Sequence, residues 1–208
     1  DDGYHVWSQS YDRTLNDIFA IQDEIANDVA QALGASLLGV NDQPMHGVTT
    51  QNTTAYELYL KGLEQQAIAS YGSLTEAEGH FKNALARDPD FAEAKMALAR
   101  NYGMKLNTGL IEYPEAAASA LPLLEQVKTS YPKEPLARAL ELALVTDIQN
   151  DSLVFDDRNQ AIAEMRALLP YLPGDTWVRE KVAGNLIFGQ DRPEEALEII
   201  QGFYSETG

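Results

Sequence analysis

The sequence predicts an all-α fold, an array of about four pairs of helices. The first observation is a frame of small and apolar residues spaced by four and then three positions and followed by proline, which places its members on one helical face and ends the helix. The second is that the frame recurs, at Ala77, Phe81, Ala84 and Pro89; Ala120, Leu124, Val127 and Pro132; Ala161, Met165, Leu168 and Pro173; and Ala196, Ile200 and Phe203. The third is composition, since a chain of 208 residues that is 45% hydrophobic can bury a sizeable core.

Within the frame, small residues let a neighbouring helix approach closely, and Phe81 fills the space beside them. This arrangement resembles the second helix of the tetratricopeptide repeat, a unit of about 34 residues with two helices, A and B. The pattern of the family's helix A, which has Leu, Gly and Tyr, is matched in the second copy by Leu98, Ala99 and Tyr102. The resemblance implies a right-handed superhelical, tetratricopeptide-like α-solenoid, although Leu124 and Met165 stand where the family has an aromatic residue.

Capping and turn-forming residues predict where the helices begin. Thr53 or Thr54 can cap the first helix A, and Ser73 offers a cap for the first helix B. Segments 106–114 and 150–157 lengthen the turn between helices A and B in the second and third copies. Because the turns of a solenoid line up, both segments are expected at one edge of the stack.

The N-terminal part has a different character. Residues 3–11 predict a strand, and a helix with one apolar stripe follows it. The string from Trp7 to Ala26 resembles the closing strand and helix of the TolB-like (FlgO-like) α/β domain, which in bacteria often precedes tetratricopeptide repeats in adenylate or guanylate cyclase-like proteins and in CadC-type transcriptional regulators. The resemblance covers about residues 3–38 and implies that most of that domain lies upstream. We therefore divide the chain into a truncated TolB-like segment, a linker and the repeats, at residues 1–38, 39–53 and 54–208.

Charge and composition exclude several classes of function. The formal net charge is −17, whereas a nucleic-acid-binding surface is expected to be basic, so this segment is not expected to bind nucleic acid directly. The absence of cysteine excludes disulfides and thiol chemistry. No apolar run approaches the ~20 residues of a membrane span. The compartment stays open between the cytoplasmic and the periplasmic part of a larger bacterial protein.

No catalytic, cofactor or metal site is expected. The histidines His5, His46 and His80 fall in separate predicted elements, without the spacing of zinc ligands. The sequence has no phosphate-binding glycine loop and no nucleophile elbow. The densest acidic group lacks the alternating spacing that surrounds calcium and is predicted to be a solvated loop: Asp147, Asp151, Asp156 and Asp157.

The family resemblance also implies a concave groove, lined by helix-A side chains, that holds a segment of a partner. Carried over by position, the groove candidates are Tyr56, Tyr59, Met96, Arg100, Asn101, Met104, Trp177 and Glu180. For the three aromatic candidates the alternative is packing in the core, since aromatic residues at helical spacing are usually buried. Arg100 is one of few cations in an acidic chain, and its guanidinium is suited to a partner's carboxylate.

Together these observations predict a non-catalytic module for protein–protein interaction or self-association in a multidomain bacterial signalling or regulatory protein. The expected partner is a protein or peptide segment. A different class stays open, in which the repeats sense a small molecule in a pocket formed with the missing TolB-like domain. Residues 3–10, a strand without its sheet, are expected either to pair with a second copy in a homodimer or to fold back onto the repeats.

Overall fold

The computed structural model describes residues 48–207 except 148–149, 151–154 and 173. The predicted N-terminal strand and helix, the segment proposed for dimerisation and most of the linker therefore lie outside the described residues. Eight α-helices are described: α1 (Thr53–Ile68), α2 (Tyr71–Arg87), α3 (Ala92–Asn107), α4 (Tyr113–Ser130), α5 (Pro135–Val145), α6 (Phe155–Leu168), α7 (Thr176–Gln190) and α8 (Pro193–Thr207). A short 3-10 helix, Leu169–Tyr171, follows α6.

The helices form an α-solenoid of four pairs, which confirms the predicted fold class. Each helix packs against the next one along the chain, and the odd-numbered helices also pack in series, α1 on α3, α3 on α5 and α5 on α7. The odd-numbered helices are thus the A helices of the four repeats. No strand occurs in the part of the chain that the structure describes. None of the described helices is both long enough and apolar enough to cross a membrane.

Two helix starts differ from the prediction. Asn52, rather than a threonine, caps α1, and its side chain accepts a hydrogen bond from the backbone N–H of Ala55 at 3.0 Å. Ser70 caps α2, three residues before the predicted position. Ser70 and Ser73 form a reciprocal capping box, because each hydroxyl accepts a hydrogen bond from the other residue's backbone N–H. Ser73 therefore completes the cap instead of starting it.

The repeated frame does form the core. Ala77, Phe81 and Ala84 are fully buried, as are Ala120, Met165 and Ala196. The ring of Phe81 lies against the backbone of α1 at Gly62, where a Cβ atom would overlap the ring. A glycine in helix A thus makes room for the large residue of helix B, which explains why the two occur together in the first repeat.

Two copies of the frame depart from this pattern. In the third copy Ile162 and Leu169 are buried, whereas the predicted Ala161 and Leu168 are only half-buried. In both cases the next residue along the chain points inward instead. In the fourth copy Ile200 is 39% exposed, since no further helix pair covers α8 within the described residues.

Ion pairs connect helices both within a repeat and between neighbouring repeats. Glu78 on α2 pairs with Lys105 on α3 at 2.6 Å and also with Lys82 one turn along α2. Burial raises the pKa of Glu78, but the hydrogen bonds from both lysines outweigh it and leave the pKa below its ordinary value. A bidentate pair joins Arg138 on α5 to Glu164 on α6, at 2.6 and 2.8 Å. Some of the acidic residues therefore hold neighbouring helices together through ion pairs.

Candidate binding surface on the A-helix face

The surface formed by α1, α3, α5 and α7 is called the A-helix face here, and it carries the predicted groove residues. Tyr56 and Tyr59 on α1 are half-buried, with ring centroids 6.1 Å apart. Tyr59 also contacts Phe91 at 5.0 Å and Phe81 at 6.2 Å. Burial, together with the carboxylate of Glu93, raises the pKa of Tyr59 to about 12. Tyr59 thus belongs partly to the core and presents one side to the face.

The three groove candidates of α3 other than Arg100 lie at different depths. Met96 is buried in the core, and Met104 is half-buried. Asn101 is fully buried, and its Nδ2 donates to the backbone carbonyl of Leu74 at 2.8 Å. Its Oδ1 accepts from Gln66 Nε2 at 3.4 Å. Asn101 therefore links α3 to α1 and α2 and is not accessible to a partner, contrary to the prediction that it lies on the groove surface.

Arg100 has a carboxylate partner within the chain. Its guanidinium pairs with Asp175, the residue that caps α7 and accepts a hydrogen bond from the backbone N–H of Val178 at 2.9 Å. Arg100 was predicted to bind a carboxylate of a partner protein, whereas Asp175 of the same chain occupies it. This ion pair connects the second repeat to the fourth.

Two further contacts join the same helices, and the three together are called the α3–α7 contact. Gly103 lies beside the indole of Trp177, and Lys181 Nζ donates to Asn107 Oδ1 at 2.5 Å. From one contact to the next the residue number increases on both helices, so α3 and α7 run in the same direction. The helix between them, α5, packs against both α3 and α7, and side chains of these two neighbours meet across it on the A-helix face.

The first depression on this face lies between α1, α3 and the start of α5. Its volume is about 100 Å³, and it is lined by Tyr59, Leu63, Gln66, Glu93, Met96, Ala97, Arg100 and Leu136. Glu93 is tied to the segment before α1, since both its carboxylate oxygens accept hydrogen bonds from Thr49, at 2.5 and 3.0 Å. The first depression is therefore mostly apolar, with its charged groups already paired.

The second depression is larger, with a volume of about 320 Å³, and lies between α7 and the C-terminal ends of α3 and α5. It is lined by Asn107, Asp147, Trp177, Glu180, Lys181, Gly184, Asn185 and Phe188. Trp177 is half-buried and Glu180 is exposed, and the side chain of Phe188 is 82% exposed. Two of the eight predicted groove residues, Trp177 and Glu180, therefore line one concave site.

The electrostatics of the second depression are nearly balanced. Lys181 Nζ donates to Asp147 Oδ2 at 2.9 Å and lies 5.5 Å from the centroid of the Trp177 ring, a cation–π geometry. Trp177 Nε1 and Asn185 Oδ1 are buried polar atoms, and neither has a hydrogen-bond partner in the described structure. Buried donors and acceptors in folded proteins are nearly always paired. This site therefore keeps an unused donor and an unused acceptor.

The side chains that line the two depressions supply apolar surface, hydrogen-bonding groups and charges, and none is a histidine, serine or threonine. Among the described residues no three potential metal ligands come together. Asp147, from the acidic group noted in the sequence, pairs with Lys181, while Asp151 and the side chain of Asp156 lie outside the described residues.

Sequence reasoning missed several residues of this surface. Asp175, Lys181 and Asn185 gave no signal because their roles depend on contacts with distant helices. Gly103 did carry a signal: glycine inside a helix is unfavourable, and a packing reason is the usual explanation. Gly103 directly follows Tyr102, which the sequence had already assigned to a helix A, so its position inside a helix could be recognised.

Comparison with known proteins finds a partial similarity between the chain and a protein that is named as a putative cyclase. No family model matches the chain, and no solved structure matches it. A protein of Rhizobium meliloti (strain 1021) named "Putative adenylate cyclase 3" is 32% identical to the chain over 99 residues. The matched segment is 47% of this chain and 16% of the length of that protein. The similarity supports the adenylate cyclase-like relation and, with it, a signalling context.

Proposed function

We propose that residues 54–208 form a non-catalytic interaction module of a signalling protein, which binds a segment of a partner protein along the A-helix face. The observation that carries this proposal is the second depression, which is lined by Trp177, Asn185 and the 82% exposed Phe188, and in which Trp177 and Asn185 each have an unpaired buried polar atom. Aromatic residues with access to unused hydrogen-bonding groups are typical of the centre of protein interfaces.

The shape of the face favours a chain segment as its ligand. The two depressions lie on either side of the α3–α7 contact, and each is open to solvent. A segment that crosses Trp177 can occupy both, whereas a compact ligand fills only one. Residues 54–208 contain 24 acidic and 14 basic residues, a net charge of −10, so the module favours a neutral or basic segment over an acidic one.

Photo-crosslinking tests the location of the partner. A crosslinking amino acid at Glu180, on the rim of the second depression, is expected to capture one defined protein from a lysate of the source organism. The same amino acid at Glu76, exposed on helix α2, is the control and is expected to capture none. The captured protein is identified by mass spectrometry and titrated in purified form. Equal capture at both positions, or purified partner that binds Phe188→Ala as well as the parent chain, contradicts the proposal.

The non-catalytic part of the proposal has its own test. The purified chain is incubated with ATP and Mg²⁺ or Mn²⁺, and cyclic AMP is measured. We expect no product above the protein-free control. Turnover that is proportional to the concentration of the chain would assign catalysis to this segment.

Small-molecule sensing is the second candidate, and the volume of the second depression favours it. About 320 Å³ is at the lower end of the volumes of small-molecule sites. Native mass spectrometry of the chain isolated from its source distinguishes the two functions. A stoichiometric small ligand that is lost from a variant with a filled depression would support sensing.

A further inference from the structure

We infer that the α3–α7 contact is an autoinhibitory latch, which holds the solenoid in a closed curvature and opens when a partner occupies the A-helix face. This inference rests on the proposed function and adds its regulation. It follows from the repeats that the contact joins, from the unpaired indole N–H at its centre and from the position of its residues beside the two depressions.

The contact joins repeats that are not neighbours. In a regular solenoid each repeat contacts only the repeats before and after it, and the curvature is the sum of small rotations between them. Here Asp175 pairs with Arg100, and Lys181 donates to Asn107 at 2.5 Å, so the fourth repeat is tied to the second across the third. The contact is therefore an additional constraint on the curvature, and its release lets α3 and α7 move apart.

Charged and polar groups form most of the contact, so it is easier to open than the core. The side chain of Arg100 is 24% exposed and that of Lys181 is 15% exposed, so salt screens their ion pairs. The core that holds successive helices together is apolar instead, with Leu140, Val178 and Val182 buried in one cluster. The contact can thus open while the helix pairs stay folded.

The closed state leaves a hydrogen-bond donor unpaired. Trp177 Nε1 is buried, and it has no hydrogen-bond partner among the described residues. A buried donor without a partner loses the hydrogen bonds that water would supply, which disfavours the closed state. When α3 and α7 separate, the indole moves away from Gly103 and water reaches its N–H. The loss at Trp177 therefore opposes the gain from the ion pairs, and the contact is poised to open.

The residues of the contact also border the sites that a partner uses. Arg100 lines the first depression, and Trp177 and Lys181 line the second. Both cations are already paired with carboxylates of the chain itself, Asp175 and Asp147. A partner that uses either charge of such a pair must displace the other charge. The closed contact thus lowers the affinity of the A-helix face for a partner.

The distance between the second and the fourth repeat tests the latch directly. The chain has no cysteine, so spin labels can be attached at two exposed positions by Gln126→Cys and Glu198→Cys. Gly103→Ala opens the latch, because its Cβ would lie 2.8 Å from the Trp177 ring. Pulsed electron spin resonance is expected to show a longer mean distance in Gly103→Ala than in the parent chain. The parent distance is also expected to lengthen in about 1 M salt, where the screening length is about 3 Å.

A second pair of labels and a second variant separate opening from unfolding. Labels at Glu76→Cys and Gln126→Cys span the first and second repeats, and their distance is expected to stay constant. The double variant Arg100→Gln and Asp175→Asn removes the ion pair, keeps the cap of α7 and is expected to lengthen the distance between repeats two and four. An unchanged distance in both variants and in high salt overturns the inference, as does an equal change in both pairs of labels.

Binding of the partner captured at Glu180 tests the autoinhibition. The apparent affinity of a partner falls with the fraction of the chain that is competent to bind, so an open fraction below about one third predicts a gain of about threefold or more on opening. Gly103→Ala and the double variant are both expected to show that gain with the purified partner. Equal or weaker binding, in variants whose label distance has increased, overturns the autoinhibitory role. If no partner is captured, the proposed function fails, and the label distances alone decide the inference.

Discussion

The indole of Trp177 packs against Gly103 so closely that a Cβ atom at position 103 would lie 2.8 Å from its Cζ2 atom. The two residues belong to the A helices of the second and the fourth repeat. The contact fills the middle of the A-helix face with a side chain of the protein itself. The A-helix face therefore carries two separate depressions in place of one continuous groove.

Replacing Gly103 by alanine is expected to destabilise the chain by about 1–3 kcal/mol, the range of an overpacked core, less the gain in helix propensity. The indole must move, and the α3–α7 contact loosens with it. Urea unfolding measures the change. Gly79→Ala is the control: it lies in open space within α2, so we expect a gain of up to about 1 kcal/mol. Equal changes in the two variants would contradict the close contact.

Phe81→Ala is expected to lower the free energy of unfolding by about 3–5 kcal/mol, because it deletes a fully buried aromatic side chain. Gly62→Ala alone is also destabilising, since its Cβ overlaps the Phe81 ring. In the double variant the ring is absent and the new methyl group occupies part of its space. The double variant should therefore lose less than the two single losses added together. Additive losses would show that residues 62 and 81 do not share one packing site.

The pair between Arg100 and Asp175 is expected to contribute a coupling energy of roughly 0.5–2 kcal/mol, as contacting partly buried residues do. A double-mutant cycle with Arg100→Gln and Asp175→Asn measures it by urea unfolding. Asparagine is chosen because it retains the helix cap while removing the charge. Arg100→Glu is expected to lower the melting temperature, since it sets two carboxylates against each other. A coupling energy near zero would leave Arg100 available to a carboxylate of the partner.

Glu78 gives the fold a defined response to acid. Its pKa is held below the ordinary value of 4.5 in the folded chain, by Lys105 and Lys82 against the opposing effect of burial. The carboxylate therefore stabilises the fold at every pH above about 4.5, and this contribution is lost as the pH falls through the lower, folded-state pKa.

The prediction is read from the difference in unfolding free energy between the parent chain and Glu78→Gln. This difference is expected to be constant from neutral pH down to about pH 5 and to shrink below that. Glu76→Gln, exposed on the same helix, is the control and should show a smaller difference throughout. A difference between parent and Glu78→Gln that grows as the pH falls would contradict the assignment.

Local patterns predicted the helix pairs and most of the core correctly. The spacing of Ala77, Phe81 and Ala84 specifies a face, and burial of that face requires only that some neighbour packs there. The same reasoning was less accurate for Asn101, because a polar residue near a predicted groove is expected to be exposed. Its burial depends on a hydrogen bond to the backbone carbonyl of Leu74, on another helix, which no pattern within α3 reveals.

The sequence by itself determined that this chain forms paired helices, which of their faces are apolar and that the surface is acidic, because each property follows from residues within one or two turns. Only the tertiary structure decided what the A-helix face offers to a partner. Arg100 and Asp175 are separated by 75 positions, and they meet because α3 and α7 both pack on α5 and approach each other across it. Such a contact depends on how successive repeats stack, a sum of many small rotations, and no local spacing of residues encodes that sum.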